Sequence, residues 1–209
     1  MIKNKKFSFS DNIVILIGLV VGSLFIQGVL MILLQVIFKE WMSPLTNAIT
    51  VCIALLIATL FCPYLIMRKI VNCPMTELGF KKPTRHEIFI AVFIVVTGIF
   101  VAWMLTRQWE AVLIISLHNI FIAFSEEFIA RGCMFAQLRR IYQKDWFVLI
   151  ISTLIFVFVF HSNAPLIENL IWRLPVSIVL TLTYFRTKNL LLCTSIHFAY
   201  NVIVSFAVK

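Results

Sequence analysis

The chain has 209 residues, 62% of them hydrophobic and 13% charged, with a mean hydropathy of +1.02. Soluble domains carry about 25% charged residues, so a water-soluble globular protein is excluded, and continuous apolar runs that do not alternate exclude a β-barrel. The net charge of +9 would suit nucleic acid, but no basic patch is interleaved with aromatics and no Gly-rich phosphate loop is present. The charge instead follows the positive-inside bias of membrane loops, so the expected surroundings are a lipid bilayer and no nucleic acid.

A short basic segment carrying Lys3, Lys5 and Lys6 leads into the run Ile13–Phe38. That run is too long for a signal-peptide core and lacks a small-residue cleavage site, so it reads as a first spanning helix. Lys39-Glu40-Trp41-Met42-Ser43-Pro44 is a tight turn with an interfacial tryptophan, and Leu45 to Met67 forms the second span. Arg68–Glu87 is the longest polar segment, with breakers at Pro74, Gly79 and Pro83. It reads as a surface loop with a short interfacial turn near Thr76–Phe80, and it places His86 in the loop. Its Cys73 is a candidate for lipidation by position alone.

The third span covers Ile88 to about Leu105. A fourth apolar run from Ala111 ends at Arg139-Arg140, a fifth from Trp146 to Phe160 ends in His161, and a sixth takes Leu166 to Phe185, with a kink expected at Pro175. Leu190–Val208 is the seventh. With the N-terminus inside, inner segments hold thirteen basic residues against three on the outside, Lys39, Arg107 and Lys209. The expected fold is therefore all-α: a polytopic membrane helical bundle of about seven transmembrane helices with a cytoplasmic N-terminus, in the cell membrane. Residues 1–209 read as a single integral membrane domain, with N-terminal spans and the basic loop in 1–110 and the chemistry-bearing part in 111–209. The five cysteines include no C-x-x-C pair, so neither a disulfide framework nor a cysteine metal site is expected.

Ionisable groups inside spans are costly and mark function by default. The fourth run carries Glu126, Glu127 and Arg131. Glu127 and Arg131 are i,i+4 neighbours able to pair, and Glu126 lies about 100° around the helix axis, free for other work. In the last span His197 and Asn201 share a helix face. A structural ion pair and ordinary interhelical hydrogen bonds are the competing readings. His118 and Asn119 read as packing groups or as supports behind the site, and Glu168 with Arg173 as a local pair or as interfacial anchors.

These residues resemble the motifs of the CAAX protease and bacteriocin-processing (CPBP or Abi) family of intramembrane proteases. E-E-x-x-x-R stands as Glu126-Glu127-Phe128-Ile129-Ala130-Arg131, followed by Gly132, and H-x-x-x-N as His197-Phe198-Ala199-Tyr200-Asn201. F-x-x-x-H is imperfect: His161 is in place, but Val157 occupies the phenylalanine position, between Phe156 and Phe158. The resemblance covers roughly half of the chain.

The resemblance implies an intramembrane endopeptidase acting on a peptide or membrane-protein substrate, with Glu126, Glu127, Arg131, His161, His197 and Asn201 as its catalytic set. Amide hydrolysis needs an activated water and a stabilised oxyanion. Glu126 with His161 suits the first task, Asn201, alone or with His197, the second, and Glu127–Arg131 would hold the helix. Family accounts divide between a glutamate-activated water without metal and a metal-bound water. The sequence leaves both open, Glu126, His161 and His197 being the right types for a divalent ion such as zinc; the metal-free version is preferred.

A non-proteolytic bacteriocin immunity or scaffold protein is the alternative, and a proton-coupled transporter a third reading, disfavoured by the odd span count and missing inverted repeat. Substrate and oligomeric state are not specified by the sequence. Depth counting gives one discord. At about 1.5 Å per residue, Glu126, His161 and His197 lie roughly 20, 25 and 13 Å from the nearest inner basic residue, a spread too wide for one site.

Overall fold

The computed structural model describes residues 7–41 and 43–207. Lys3, Lys5, Lys6 and Lys209, which enter the orientation count, and Met42 of the first turn lie outside the described residues. Long uncharged runs leave the backbone one way to satisfy its polar groups in hydrocarbon, internal helical hydrogen bonding. Among the described residues six helices are long and apolar enough to cross a membrane: α1 (Phe9–Ile37), α2 (Leu45–Ile70), α3 (Arg85–Thr106), α4 (Trp109–Ile141), α6 (Leu166–Thr187) and α7 (Leu190–Ala207). The shorter α5 spans Asp145–Phe160. The protein is thus an all-α, multi-pass membrane bundle, and His86 belongs to the first turn of α3 rather than to the preceding loop.

Helix starts follow local chemistry. Thr84 and Glu87 form a reciprocal capping box at α3, and Ser43 accepts from the Thr46 N–H ahead of α2. Several helices widen locally into π-type turns, at Phe128–Met134 in α4, Phe156–Phe160 at the end of α5 and Asn169–Arg173 in α6. Such turns re-aim side chains and recur at functional sites.

The hub is α4, which contacts α1, α2, α3, α5 and α7 and continues in buried positions from Glu127 to Leu138 without a break. α7 lies against α3 and α4. Its approach to α3 depends on Gly98, where an added Cβ would stand 2.8 Å from the Ala199 Cβ; small residues let helix backbones come close where lipid supplies no hydrophobic drive. The first helix is tied to the end of α4 by Gln137, which donates to the Asn12 carbonyl and side-chain oxygens at 3.1 and 2.9 Å.

The α2–α3 loop differs from its expected surface character. Cys73 and Leu78 are fully buried, Tyr184 donates to the Glu77 carbonyl at 3.1 Å, and the Leu190 N–H donates to the Gly79 carbonyl at 3.0 Å. Its apolar residues plug one end of the bundle, where Cys73 and Leu78 join the main core cluster. Lipidation of Cys73 is overturned by this burial, which also pushes its thiol up to about 11. All five cysteines are free.

Candidate functional site

Glu127 occupies the middle of α4, where its side chain is fully buried and Arg131 follows one turn later, 2% exposed. The guanidinium donates to Glu127 Oε1 at 2.9 Å. It also donates across to α6, to the Ser177 hydroxyl at 2.7 Å, the Ser177 carbonyl at 3.2 Å and the Thr181 hydroxyl at 3.4 Å. Thr181 is joined to Thr153 of α5 at 3.1 Å. A buried charge is tolerated only when paired and hydrogen-bonded, and the arginine meets both conditions using three helices.

From α7, His197 brings Nδ1 to 2.7 Å from Glu127 Oε1. A carboxylate only accepts, so Nδ1 carries the proton and Nε2 is left as an acceptor when the ring is neutral. That second nitrogen stands 3.6 Å from Glu126 Oε2. Glu126 is the more open member of the pair, its side chain 18% exposed against 0% for Glu127. Adjacent carboxylates therefore differ in kind: one is consumed by Arg131 and His197, and the other faces the free imidazole edge.

His161 closes α5 and touches the cluster through an aromatic ring. Phe156 packs edge-on against His161 at 5.0 Å and His197 at 6.3 Å between centroids, and the Arg131 guanidinium lies 4.3 Å above the same ring. The aromatic support expected one residue later is thus provided by Phe156, with Val157 buried beside it; the π-type turn over Phe156–Phe160 shifts which residue faces inward. Among the described residues neither a hydrogen bond nor an ion pair joins Glu126 to His161. The imidazole within 4 Å of the Glu126 carboxylate is that of His197. Asn201 is half-buried one turn beyond His197, and its side chain makes no hydrogen bond among the described residues.

The residue types suit a divalent metal, but their placement does not. Among the described residues no three His, Cys, Asp or Glu side chains gather closely enough to hold an ion. Glu126 and His197 face each other while His161 meets the cluster through the Phe156 ring, and Glu126, His161 and His197 do not gather as a three-ligand zinc site in this arrangement.

The depth discord has a simple cause. α4 runs from Trp109 to Ile141, about 50 Å at 1.5 Å per residue against a hydrocarbon core of about 30 Å. Arg139 near its end and Lys188 at the end of α6 lie over the same two rings, Phe135 and Phe185, so the unequal residue counts from these cations to the polar cluster reflect helices of different tilt. Gly132 fits a second constraint, since a Cβ there would lie 2.8 Å from the Leu78 carbonyl of the plug loop.

Sequence reasoning passed over Ser177, Thr181, Thr153 and Asn169. The signal was present as hydroxyls four apart on one face of α6, a pattern that serves interhelical bonding in membranes. Asn169 donates to the His161 carbonyl at 3.0 Å and accepts from Arg173 at 3.1 Å, fixing the α5–α6 turn. Arg173 also pairs locally with Glu168 at 3.6 Å. His118 reaches Cys52 of α2 at 3.3 Å, and Asn119 donates to the Ile115 carbonyl of its own helix at 3.0 Å.

A family model described as type II CAAX prenyl endopeptidase Rce1-like matches residues 108–203, a little under half of the chain. Over that stretch the chain is similar to the CAAX protease and bacteriocin-processing family. The match takes in α4 through most of α7, and with them every residue of the polar cluster. No curated protein and no solved structure matches the chain.

Proposed function

We propose that this protein is an intramembrane endopeptidase that hydrolyses a peptide bond in a peptide or membrane-protein substrate. The N-terminus is taken as cytoplasmic, as the loop charges require. The observation that carries the reading is the facing pair Glu126 Oε2 and His197 Nε2, 3.6 Å apart, with His197 locked by Glu127 from behind. That separation is long for a direct hydrogen bond and short enough for one water to touch both groups.

Glu126 takes a proton from that water, and the hydroxyl forms a bond to the scissile carbonyl carbon. His197, its tautomer set by Glu127, orients the water through Nε2. Asn201 and His161 are the available neutral donors for the oxyanion. When the carbon–nitrogen bond breaks, the proton held by Glu126 passes to the leaving amine. Glu127 and Arg131 hold His197 and α4 in register and take no part in proton transfer.

Mass spectrometry of peptides from cells carrying the wild type or Glu126→Gln, each shown to be folded in membranes, tests this reading. A product that disappears from the variant while its precursor accumulates supports hydrolysis and identifies the substrate. Matching peptide profiles with the cellular phenotype retained would reject it in favour of a non-proteolytic immunity or scaffold role.

A further inference from the structure

The end of the bundle formed by the last turn of α4, the plug loop and the α6–α7 turn carries a second polar constellation that the proposed hydrolysis does not use. A cavity of about 600 Å³ opens there, lined by Arg139, Arg140 and Lys188 together with Phe135, Tyr184 and Glu77. Two of the cations are matched: Arg140 pairs with Glu77 at 2.9 Å, and Arg139 pairs with Asp145. The third is not. The Lys188 Nζ is buried and, among the described residues, has no hydrogen-bond partner.

Lys188 is held in place by aromatic faces. Its Nζ lies 4.1 Å from the Phe185 ring centre and 5.3 Å from that of Phe135. The Arg139 guanidinium lies 5.9 and 5.7 Å from the same two rings. Two like charges thus share one aromatic floor, and an ammonium with three donors has none of them satisfied. Burial, followed by Arg139, pushes Lys188 down to about 8, against a smaller upward pull from the Asp145 carboxylate. The backbone adds a third oddity, since Lys188 has φ 54° at a helix end where Gly or Asn is the easy choice. An anion in the cavity would satisfy the donors and relieve the repulsion.

Beside this cation pair runs an apolar groove of about 370 Å³ between α5 and α6, from Trp146 and Leu182 towards Leu154 and Leu174. It begins next to Asp145, the partner of Arg139, and one turn from Phe185. Its walls include exposed apolar residues of the spanning helices, Ile150 and Ile178 among them, and its floor reaches the hydroxyl pair Thr153–Thr181, whose other side meets Arg131.

We propose that this end of the bundle binds an anionic phospholipid, with its phosphate on Lys188 and Arg139 and one acyl chain in the α5–α6 groove. A basic recess next to a lipid-facing apolar groove is complementary to both parts of such a molecule, whereas a free phosphate would leave the groove unused.

The test is native mass spectrometry of the full-length protein from mixed micelles holding phosphatidylglycerol and phosphatidylcholine in equal amounts. The expected result is a preference for phosphatidylglycerol of about fivefold or more, the ratio one basic side chain supplies at a membrane surface. Lys188→Asn, which keeps a residue suited to the left-handed backbone, removes the preference, and Arg139→Gln does the same should the first variant fail to fold. Ile178→Trp fills the groove and lowers retention of both lipids. Equal retention of the two lipids by the wild type, or an undiminished preference in the folded cation variants, overturns the proposal. Displacement of phosphatidylglycerol by inorganic phosphate alone overturns the lipid assignment in favour of a soluble anion.

Discussion

Two apolar stretches of similar appearance, α3 and the second half of α4, behave in opposite ways. In α3 the buried residues are Ala91, Gly98 and Ala102, while Phe89, Phe93 and Val96 face outward. In α4 every residue from Glu127 to Leu138 is buried, including Arg131 and Gln137. The most apolar helix is thus among the least enclosed, and the helix carrying charge is the centre. Lipid removes the usual incentive to hide large apolar side chains, so small residues and polar groups needing partners decide what lies inside.

The contrast is broken most severely at Arg131. Arg131→Ala leaves Glu127 buried with only His197 as a partner, and breaking a buried pair costs about 3–5 kcal/mol. The expected outcome is loss of folded protein in a thermal denaturation series in detergent. The variant Glu127→Gln/Arg131→Gln should recover a large part of that loss, because no unpaired charge remains.

Glu126→Gln separates chemistry from architecture. The side chain is the partly open one and carries no share of the Arg131 network, so its thermal midpoint should match the wild type. Peptide processing should fall by about 10²–10⁴-fold, the usual contribution of a general base. A matched fall in both measurements would instead assign Glu126 a structural role.

Smaller effects sharpen the α3 side. Gly98→Val places a branched side chain where Ala199 stands 2.8 Å away and should destabilise by about 1–3 kcal/mol through overpacking, read as a lower midpoint with α3 still helical. Gly22→Ala, where nothing lies within 4 Å of an added Cβ, should change stability by less than about 0.5 kcal/mol. A large loss there would mean that α1 packs more closely than its open surface indicates.

Span positions were readable along the chain to within a few residues because hydrocarbon demands a continuous helical run, whatever the neighbours do. The Glu127–Arg131 contact was equally readable, since an i,i+4 spacing is a property of one helix. The partner of Glu126 was not. His161 and His197 carry the same chemistry and lie at similar rank in the sequence, and the choice between them depends on how α5 and α7 are rotated about α4. Likewise the substitution of Phe156 for a phenylalanine at 157 follows from a widened turn that no residue pattern announces.

The plug loop shows the same division. Its prolines, glycine and lysines mark a turn-rich segment, yet Cys73 and Leu78 are fully buried, because the space beneath them exists only once α4, α6 and α7 are assembled. Local spacing and hydropathy therefore specify a membrane bundle, its helices and the family motif. Which imidazole meets which carboxylate, and whether three ligand-like residues converge, depends on helix rotation and depth, and these are settled by contacts far apart in the chain.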